Sequence, residues 1–272
     1  MAMELGVAVR SMGPQSSRDM LVGCVQAAER AGLADIWIQD HLAIPPDDAE
    51  GSGGRYLDPL TTLAYLAAST ERIGLGTGVL NIPYRPALPT AKALATVQEL
   101  SGGRLRFGVG VGWMGSEFRA LGVPRSQRGR LTDEGLALIH SCFDSDEVEA
   151  NGQVFLFLPR PERPPIFIGG SGPHALARAV AFGDGWLPMG GDPEKLREPI
   201  AQLRGLASDA GKPEPQVKLM TALPLDDVAE ATDRAGALAE AGVTSLIQAI
   251  RYDSLAEFED AAGKLAPIRE AI

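Results

Sequence analysis

The sequence predicts an α/β fold, a closed (β/α)8 TIM barrel, and three observations carry that expectation. Short apolar runs, partly β-branched, alternate with amphipathic helical stretches along the chain. Counting them gives eight strand-and-helix units in 272 residues, which suits a closed barrel better than an open doubly wound sheet. Three helix-to-strand joints also look alike: Ala31-Gly32 before Ile36-Trp37, Phe182-Gly183 before Trp186-Leu187, and Ala241-Gly242 before Leu246-Ile247. One connection type therefore recurs, and the expectation is a single domain over 1–272.

Each element follows from local chemistry. Met3–Val9 is apolar and uncharged except at Glu4, so it reads as a buried strand. Ser16 and Asp19 stand at capping-box spacing, and Leu21, Cys24, Val25 and Ala28 mark one helical face. Gly32 stops that helix, and Ile36–Ile38 completes a parallel crossover unit. The unit recurs with a helix from Pro59 to Glu71 and a strand from Ile73 to Leu80. A helix from Leu88 to Leu100 then ends at Ser101-Gly102-Gly103, before a strand at Leu105–Val109.

A polar stretch from Glu117 to Asn151 interrupts the rhythm as an insertion after strand four. It is expected to hold one or two helices, including Leu131–Phe143. Pro165–Ile168 is the fifth strand, and its helix opens with Pro173 in the first turn and turns Leu176, Ala179, Val180 and Gly183 inward. Strands at Trp186–Met189, Val217–Ala222 and Ser245–Gln248 complete the set. Their helices lie near Pro193–Ala210, Asp227–Ala241 and Leu255–Leu265, the last capped by Ser254 with Glu257 three residues on.

Composition removes several function classes. With 35 acidic and 25 basic residues, the net charge of −10 opposes a polyanionic partner, so nucleic-acid binding is not expected. No run approaches the roughly 18 apolar residues that a membrane span needs. The N-terminus has no basic, apolar leader, so a soluble cytoplasmic protein is expected. Cys24 and Cys142 form no C-x-x-C pair and build no disulfide framework. No metal-ligand spacing, serine-nucleophile elbow or Walker loop occurs, so no metal site is expected.

In a barrel the chemistry sits on the loops after the strands. Those loops are Gln39-Asp40-His41, Asn81-Ile82-Pro83, Gly110-Val111-Gly112-Trp113, Gly169-Gly170-Ser171-Gly172, Met189-Gly190-Gly191 and Ala249-Ile250-Arg251. Gly110 to Gly115 matches G-x-G-x-x-G, but it follows the fourth strand and no clear helical first turn comes after it. A tight barrel loop therefore explains it better than a dinucleotide fingerprint. Gly170-Ser171-Gly172-Pro173 exposes backbone N–H groups at a helix start, which suits a phosphate, although an ordinary glycine-rich turn has the same appearance. His174 in that first turn either assists the phosphate or faces solvent.

His41 ends strand two on the predicted active face, as either a catalytic group or a satisfied structural histidine. His140 sits in mid-helix and reads as structural. Arg119, Arg125, Arg128 and Arg130 read as a solvated helix face, with a clamp for a ligand carboxylate as the alternative.

Taken together, these residues resemble the bacterial luciferase-like superfamily of flavin and deazaflavin enzymes. The resemblance is carried by Gly32-Leu33-Ala34-Asp35-Ile36-Trp37 with Asp40-His41, and by Ile73-Gly74-Leu75-Gly76-Thr77-Gly78-Val79. It continues in Leu100-Ser101-Gly102-Gly103-Arg104, in Gly108 to Trp113 with Glu117, and in Pro164 to Gly172 with Gly183-Asp184-Gly185-Trp186. The family fold is a (β/α)8 barrel.

The resemblance implies a redox enzyme that binds FMN or the deazaflavin coenzyme F420. It implies a non-prolyl cis bond at Gly78–Val79, phosphate contacts at Gly170, Ser171 and Gly172, and ring contacts at Asp40, His41, Val79 and Gly112. Two departures separate this chain from the family's sugar-phosphate dehydrogenases. Trp113 stands where those enzymes carry a glutamate, and their strand-one glutamate has no counterpart near Ser11-Met12. Glu117 is expected to be a local cap or a loop anchor rather than the catalytic acid.

The expected function is F420-dependent hydride transfer between the deazaflavin C5 and a small organic substrate. His41 would be the hydrogen-bond or proton partner, Trp113 an apolar wall of the substrate pocket, and the enzyme a homodimer. The alternatives are an FMN-dependent monooxygenase on the same barrel and a cofactor-binding barrel without catalysis.

Overall fold

The computed structural model describes residues 3–272. Its eight barrel strands are β1 (Glu4–Ala8), β2 (Asp35–Ile38), β3 (Gly74–Thr77), β4 (Leu105–Gly110), β5 (Ile166–Gly169), β6 (Gly185–Leu187), β7 (Gln216–Thr221) and β8 (Ser245–Ala249). All neighbours pair in parallel. The ring closes because β1 pairs with β8 and β3 with β4. The surrounding helices are α1 (Arg18–Arg30), α2 (Pro59–Ala67), α3 (Ala87–Leu100), α4 (Gly115–Ala120), α5 (Arg128–Asp144), α6 (Pro173–Phe182), α7 (Pro193–Asp209), α8 (Val228–Glu240) and α9 (Leu255–Ala271). No helix among the described residues is long and apolar enough to cross a membrane.

Strand alternation sorts side chains between the helix-facing core and the barrel interior. Leu5, Val7, Ile36, Ile38, Leu75 and Phe107 face the helices and are fully buried. The interior is filled differently. Trp37, Phe167, Leu187, Met220, Ala8 and Ile247 form a separate apolar layer. Glycines opposite the Trp37 ring make room for it: a Cβ at Gly108 would lie 3.1 Å from that ring and would overlap the Thr77 carbonyl oxygen.

Below this layer, Lys218 Nζ donates to Asp35 Oδ2 at 3.0 Å, Glu4 Oε2 at 3.2 Å and Ser245 Oγ at 2.9 Å. The Trp37 indole donates to the other Asp35 oxygen at 2.7 Å. The buried pair is therefore fully hydrogen-bonded, the condition under which buried charges are tolerated.

The structure corrects several local expectations. The third strand is not continuous from Ile73 to Leu80. It stops at Thr77, passes through a cis Gly78–Val79 bond and resumes as a two-residue strand at Leu80–Asn81. The insertion holds more than helix, since Glu147–Ala150 and Gln153–Leu156 pair as an antiparallel hairpin. Its turn is Asn151-Gly152, both at positive φ, which is the dipeptide such turns favour.

The cap of α1 is Ser17, which accepts from Met20 N. Ser16 is instead occupied with loop contacts, donating to Gly13 O and accepting from Arg55 Nε. Helix α2 ends at Ala67 rather than Glu71, because the Arg104 guanidinium takes the carbonyls of Ala67, Thr70 and Ile73. Helix α9 continues through Pro267 to Ala271, held by the fully buried Leu265 and Ile268. The third glycine of Gly110 to Gly115 does open a helix, the short α4.

Candidate active site

The strand ends bring His41, Glu117 and Tyr84 together across 33 to 76 residues of sequence. Glu117 projects from the first turn of α4 and is fully buried. Its Oε2 accepts from His41 Nδ1 and Tyr84 OH, both at 2.9 Å, and its Oε1 accepts from Leu42 N at 2.6 Å and Ala43 N at 3.1 Å. Burial alone would push the carboxyl pKa up, but these donors outweigh it and hold the value at about 2. Burial and the adjacent carboxylate push the Tyr84 phenol the other way.

An ionised carboxylate only accepts, so His41 Nδ1 carries the proton and Nε2 is left for an external partner. The imidazole is 17% exposed. It lies between the Tyr56 ring, 4.9 Å away by centroids, and the Trp113 ring, 6.2 Å away and edge-on. Trp113 itself is 65% exposed.

The Asp40 carboxylate is engaged by protein groups at the end of β2. Both oxygens accept from the Arg85 guanidinium, at 2.7 and 2.8 Å, and Oδ2 also accepts from Asn81 N at 2.8 Å. Its side chain is fully covered. Asp40 therefore ties the end of β2 to the loop after β3, and Arg85 continues the link to Asp58 at the cap of α2. Nothing in the sequence singled out Arg85 or Tyr84 beyond their place on a loop after a strand.

Val79 follows the cis bond and inserts between Gly110 and Gly169, where added Cβ atoms would lie 2.5 and 2.8 Å from its methyl groups. Gly78 has Met220 Cε 3.0 Å from its own Cβ position. Gly112, at φ +76°, lets the rings of Tyr84 and Phe118 pass beneath the loop, each 2.9 Å from where a Cβ would be. It is buried, so its first role is architectural.

Gly170, Ser171 and Gly172 are exposed on the far side of the mouth. Gly170 and Gly172 have φ of +100° and +76°, and nothing lies within 4 Å of a Cβ at Gly172. Five helices begin on a capping side chain (Ser17, Asp58, Asp192, Asp227 and Ser254), and α6, like α3, α4 and α5, begins without one, on Gly172. Pro173 has no N–H and Ala175 N is bonded to Gly172 O at 3.1 Å, so the backbone N–H groups left for an anion at this helix start are those of Gly172 and His174. The Trp186 indole donates to Gly170 O at 2.8 Å and fixes the loop, which opens into a cleft of about 540 Å³ shared with Met189 and Lys195. An open glycine loop at one side, and Val79 seated on Gly110 and Gly169 between the strand ends, fit a phosphate-bearing cofactor with a flat ring.

The other sequence candidates lie elsewhere. His140 Nε2 donates to Phe182 O at 2.9 Å, a structural bond, and His174 is exposed. Arg130 pairs with Glu134 on an exposed helix face. Among the described residues, no cluster of three or more His, Cys, Asp or Glu is arranged to hold a metal ion.

A family model described as luciferase-like monooxygenase matches residues 3–272. The F420-dependent hydroxymycolic acid dehydrogenase of Mycobacterium tuberculosis is 35% identical over 198 residues, covering 69% of this chain and 53% of that protein. Among solved structures, an F420-dependent secondary alcohol dehydrogenase in complex with an F420–acetone adduct superposes with a TM-score of 0.84. It is 16% identical and covers 98% of this chain and 99% of that one. The monooxygenase RslO1 from Streptomyces bottropensis superposes at 0.82, with 19% identity and coverage of 97% and 98%.

Proposed function

The chain belongs to the luciferase-like monooxygenase family, and from that premise we propose that it is an F420-dependent oxidoreductase acting on a small organic substrate. The observation that carries this reading is His41 at the end of β2, held through Nδ1 by a buried carboxylate, on the same ring of strand ends as a glycine loop suited to phosphate. Similarity to an F420-dependent dehydrogenase favours the deazaflavin over FMN. The bound deazaflavin supplies a ring carbon that accepts or gives a hydride.

The chain's own residues bind and orient. Gly170, Ser171 and Gly172 take the phosphate on N–H groups, Val79 supports the ring from below, and Gly78 gives the ring close access to backbone. His41 Nε2 donates to, or takes a proton from, the ring or substrate, while Glu117 fixes the tautomer through Nδ1. Asp40 acts through Arg85 and Asn81 on the shape of the loop. Trp113 forms an apolar wall that excludes water on the substrate side. The active unit is a homodimer in the cytoplasm.

An FMN-dependent monooxygenase is the second reading, supported by the superposition with a monooxygenase. Parallel fluorescence titrations with oxidised F420 and FMN decide between them. Micromolar F420 binding with weak FMN binding is expected. Tight FMN binding alone reverses the assignment, and binding of neither removes both enzyme readings.

A further inference from the structure

Continuing the inward side of each strand to the mouth gives glycine, alanine or methionine on β3 to β7, but Arg10 beyond β1, Gln39 beyond β2 and Arg251 beyond β8. These polar positions are on neighbouring strands of the ring. In the β1–β8 register Ala8 faces Ala249, so two residues further on Arg10 comes level with Arg251. The two loops stay together there, since Arg10 N donates to the Tyr252 hydroxyl at 2.9 Å.

This corner of the mouth is short of hydrogen-bond partners. Arg10 Nε, Ser11 Oγ, Gln15 Oε1 and Gln39 Oε1 are buried without a partner, four of the five such side-chain atoms among the described residues. Ser11 is fully buried and Gln15 is 6% exposed. Elsewhere, buried polar atoms in a folded chain are almost always paired. Neither the half-buried Arg10 nor the exposed Arg251 is ion-paired among the described residues, and the buried Nε of Arg10 has no partner at all. Leaving a half-buried guanidinium without an anion is costly, and so is leaving its N–H unpaired. In an eight-stranded ring β1 lies opposite β5, so this corner is across the mouth from the Gly170–Gly172 cradle. The phosphate of the cofactor and the anion wanted here are therefore separate groups.

We propose that the substrate carries a carboxylate, bound by Arg10 and Arg251, with Ser11 and Gln39 hydrogen-bonding to atoms beside it. Guanidinium forks match carboxylate geometry, and two unpaired arginines give a local attraction that the chain's overall −10 charge does not. The assignment rests on the reading that the cofactor lies across the barrel mouth, and it adds the substrate class.

Calorimetric titration tests it with hexanoate, hexanamide and hexyl phosphate, each added to the cofactor-free protein and to protein saturated with F420. Hexanoate is expected to bind about tenfold or more tighter than hexanamide. Arg10→Met and Arg251→Met should each abolish that preference, while Arg130→Met on the outer helix face should keep it. Arg10 also holds the loop at Gly51 O, so if Arg10→Met fails to fold, the exposed Arg251 decides the question alone. Equal binding of acid and amide, a preference that survives both substitutions, or no hexanoate binding overturns the proposal. Tighter binding of hexyl phosphate replaces the carboxylate with a phosphate monoester. If F420 does not bind but the arginine-dependent preference for hexanoate persists, the cofactor reading falls and the anion subsite stands. F420 binding without the preference has the opposite meaning.

Discussion

At the scale of single residues, the His41–Glu117 contact joins stability to chemistry. Glu117 is ionised in the fold at a pKa of about 2, against an ordinary value of 4.5. A depressed carboxyl contributes stability that is complete above its unfolded value and is lost as pH falls toward the folded one. The shift corresponds to about 3 kcal/mol, so the stability margin of the native protein over Glu117→Gln should shrink between about pH 5 and pH 2. Urea unfolding midpoints of the two proteins at several pH values check this, and a margin independent of pH would remove the assigned role of the carboxylate.

His41→Ala removes one of the four donors on Glu117, which should cost about 1 kcal/mol of stability, while turnover should fall by about 100-fold or more. Unchanged turnover would show that Nε2 has no part in the reaction. His41 was legible in the sequence because a histidine at a strand end faces the mouth of a barrel. Glu117 was legible as a loop anchor, but its partner was not, since 76 residues separate the two. Asp40 was legible only as a position, and its ion pair with Arg85, 45 residues away, was not.

At the scale of elements, the glycines of this chain divide into two kinds with different consequences. Gly108 lies within β4 with no space for a side chain, its Cβ position being blocked by the Thr77 carbonyl and the Trp37 ring. Backbone cannot yield there without opening the barrel, so Gly108→Ala should abolish soluble folded protein, as expression and circular dichroism would reveal. Gly172 has free space around it but sits at φ +76°. Gly172→Ala should cost about 1–3 kcal/mol in thermal unfolding, because φ +76° with ψ −179° is a region essentially reserved for glycine, and should weaken binding of a phosphorylated cofactor by distorting the start of α6. Equal effects from the two substitutions would contradict this division.

The elements themselves were legible from periodicity and glycine stops. The hairpin at 147–156 lies in a polar stretch with no apolar alternation to mark it, although Asn151-Gly152 carries the turn signal. The break in the third strand had no local signature other than the family resemblance.

At the scale of the whole molecule, the barrel interior contains an ion pair that closes the ring from within. Lys218 on β7 reaches Asp35 on β2 and Ser245 on β8, joining strands far apart in sequence. Lys218→Met would leave Asp35 buried and charged, and should destabilise the protein by about 3–5 kcal/mol. Adding Asp35→Asn should restore part of that loss, because the amide still accepts from the Trp37 indole. A double-mutant cycle by chemical denaturation should give a coupling of about 1 kcal/mol or more, and strict additivity would show that the pair contributes nothing together.

The sequence by itself determined the fold class, the number and order of the units, and the loops on which a site could form. Those features are local: side-chain period, helix stops and strand-end glycines act within a few residues of one another. The tertiary structure alone decided the partnerships that make those loops a site. Glu117 meets His41, Arg85 meets Asp40, and Arg10 comes level with Arg251 because the sheet closes and draws all eight strand ends into one ring. Ring closure sets the distances between residues tens to hundreds of positions apart, and no short-range pattern in a chain encodes which of them will meet.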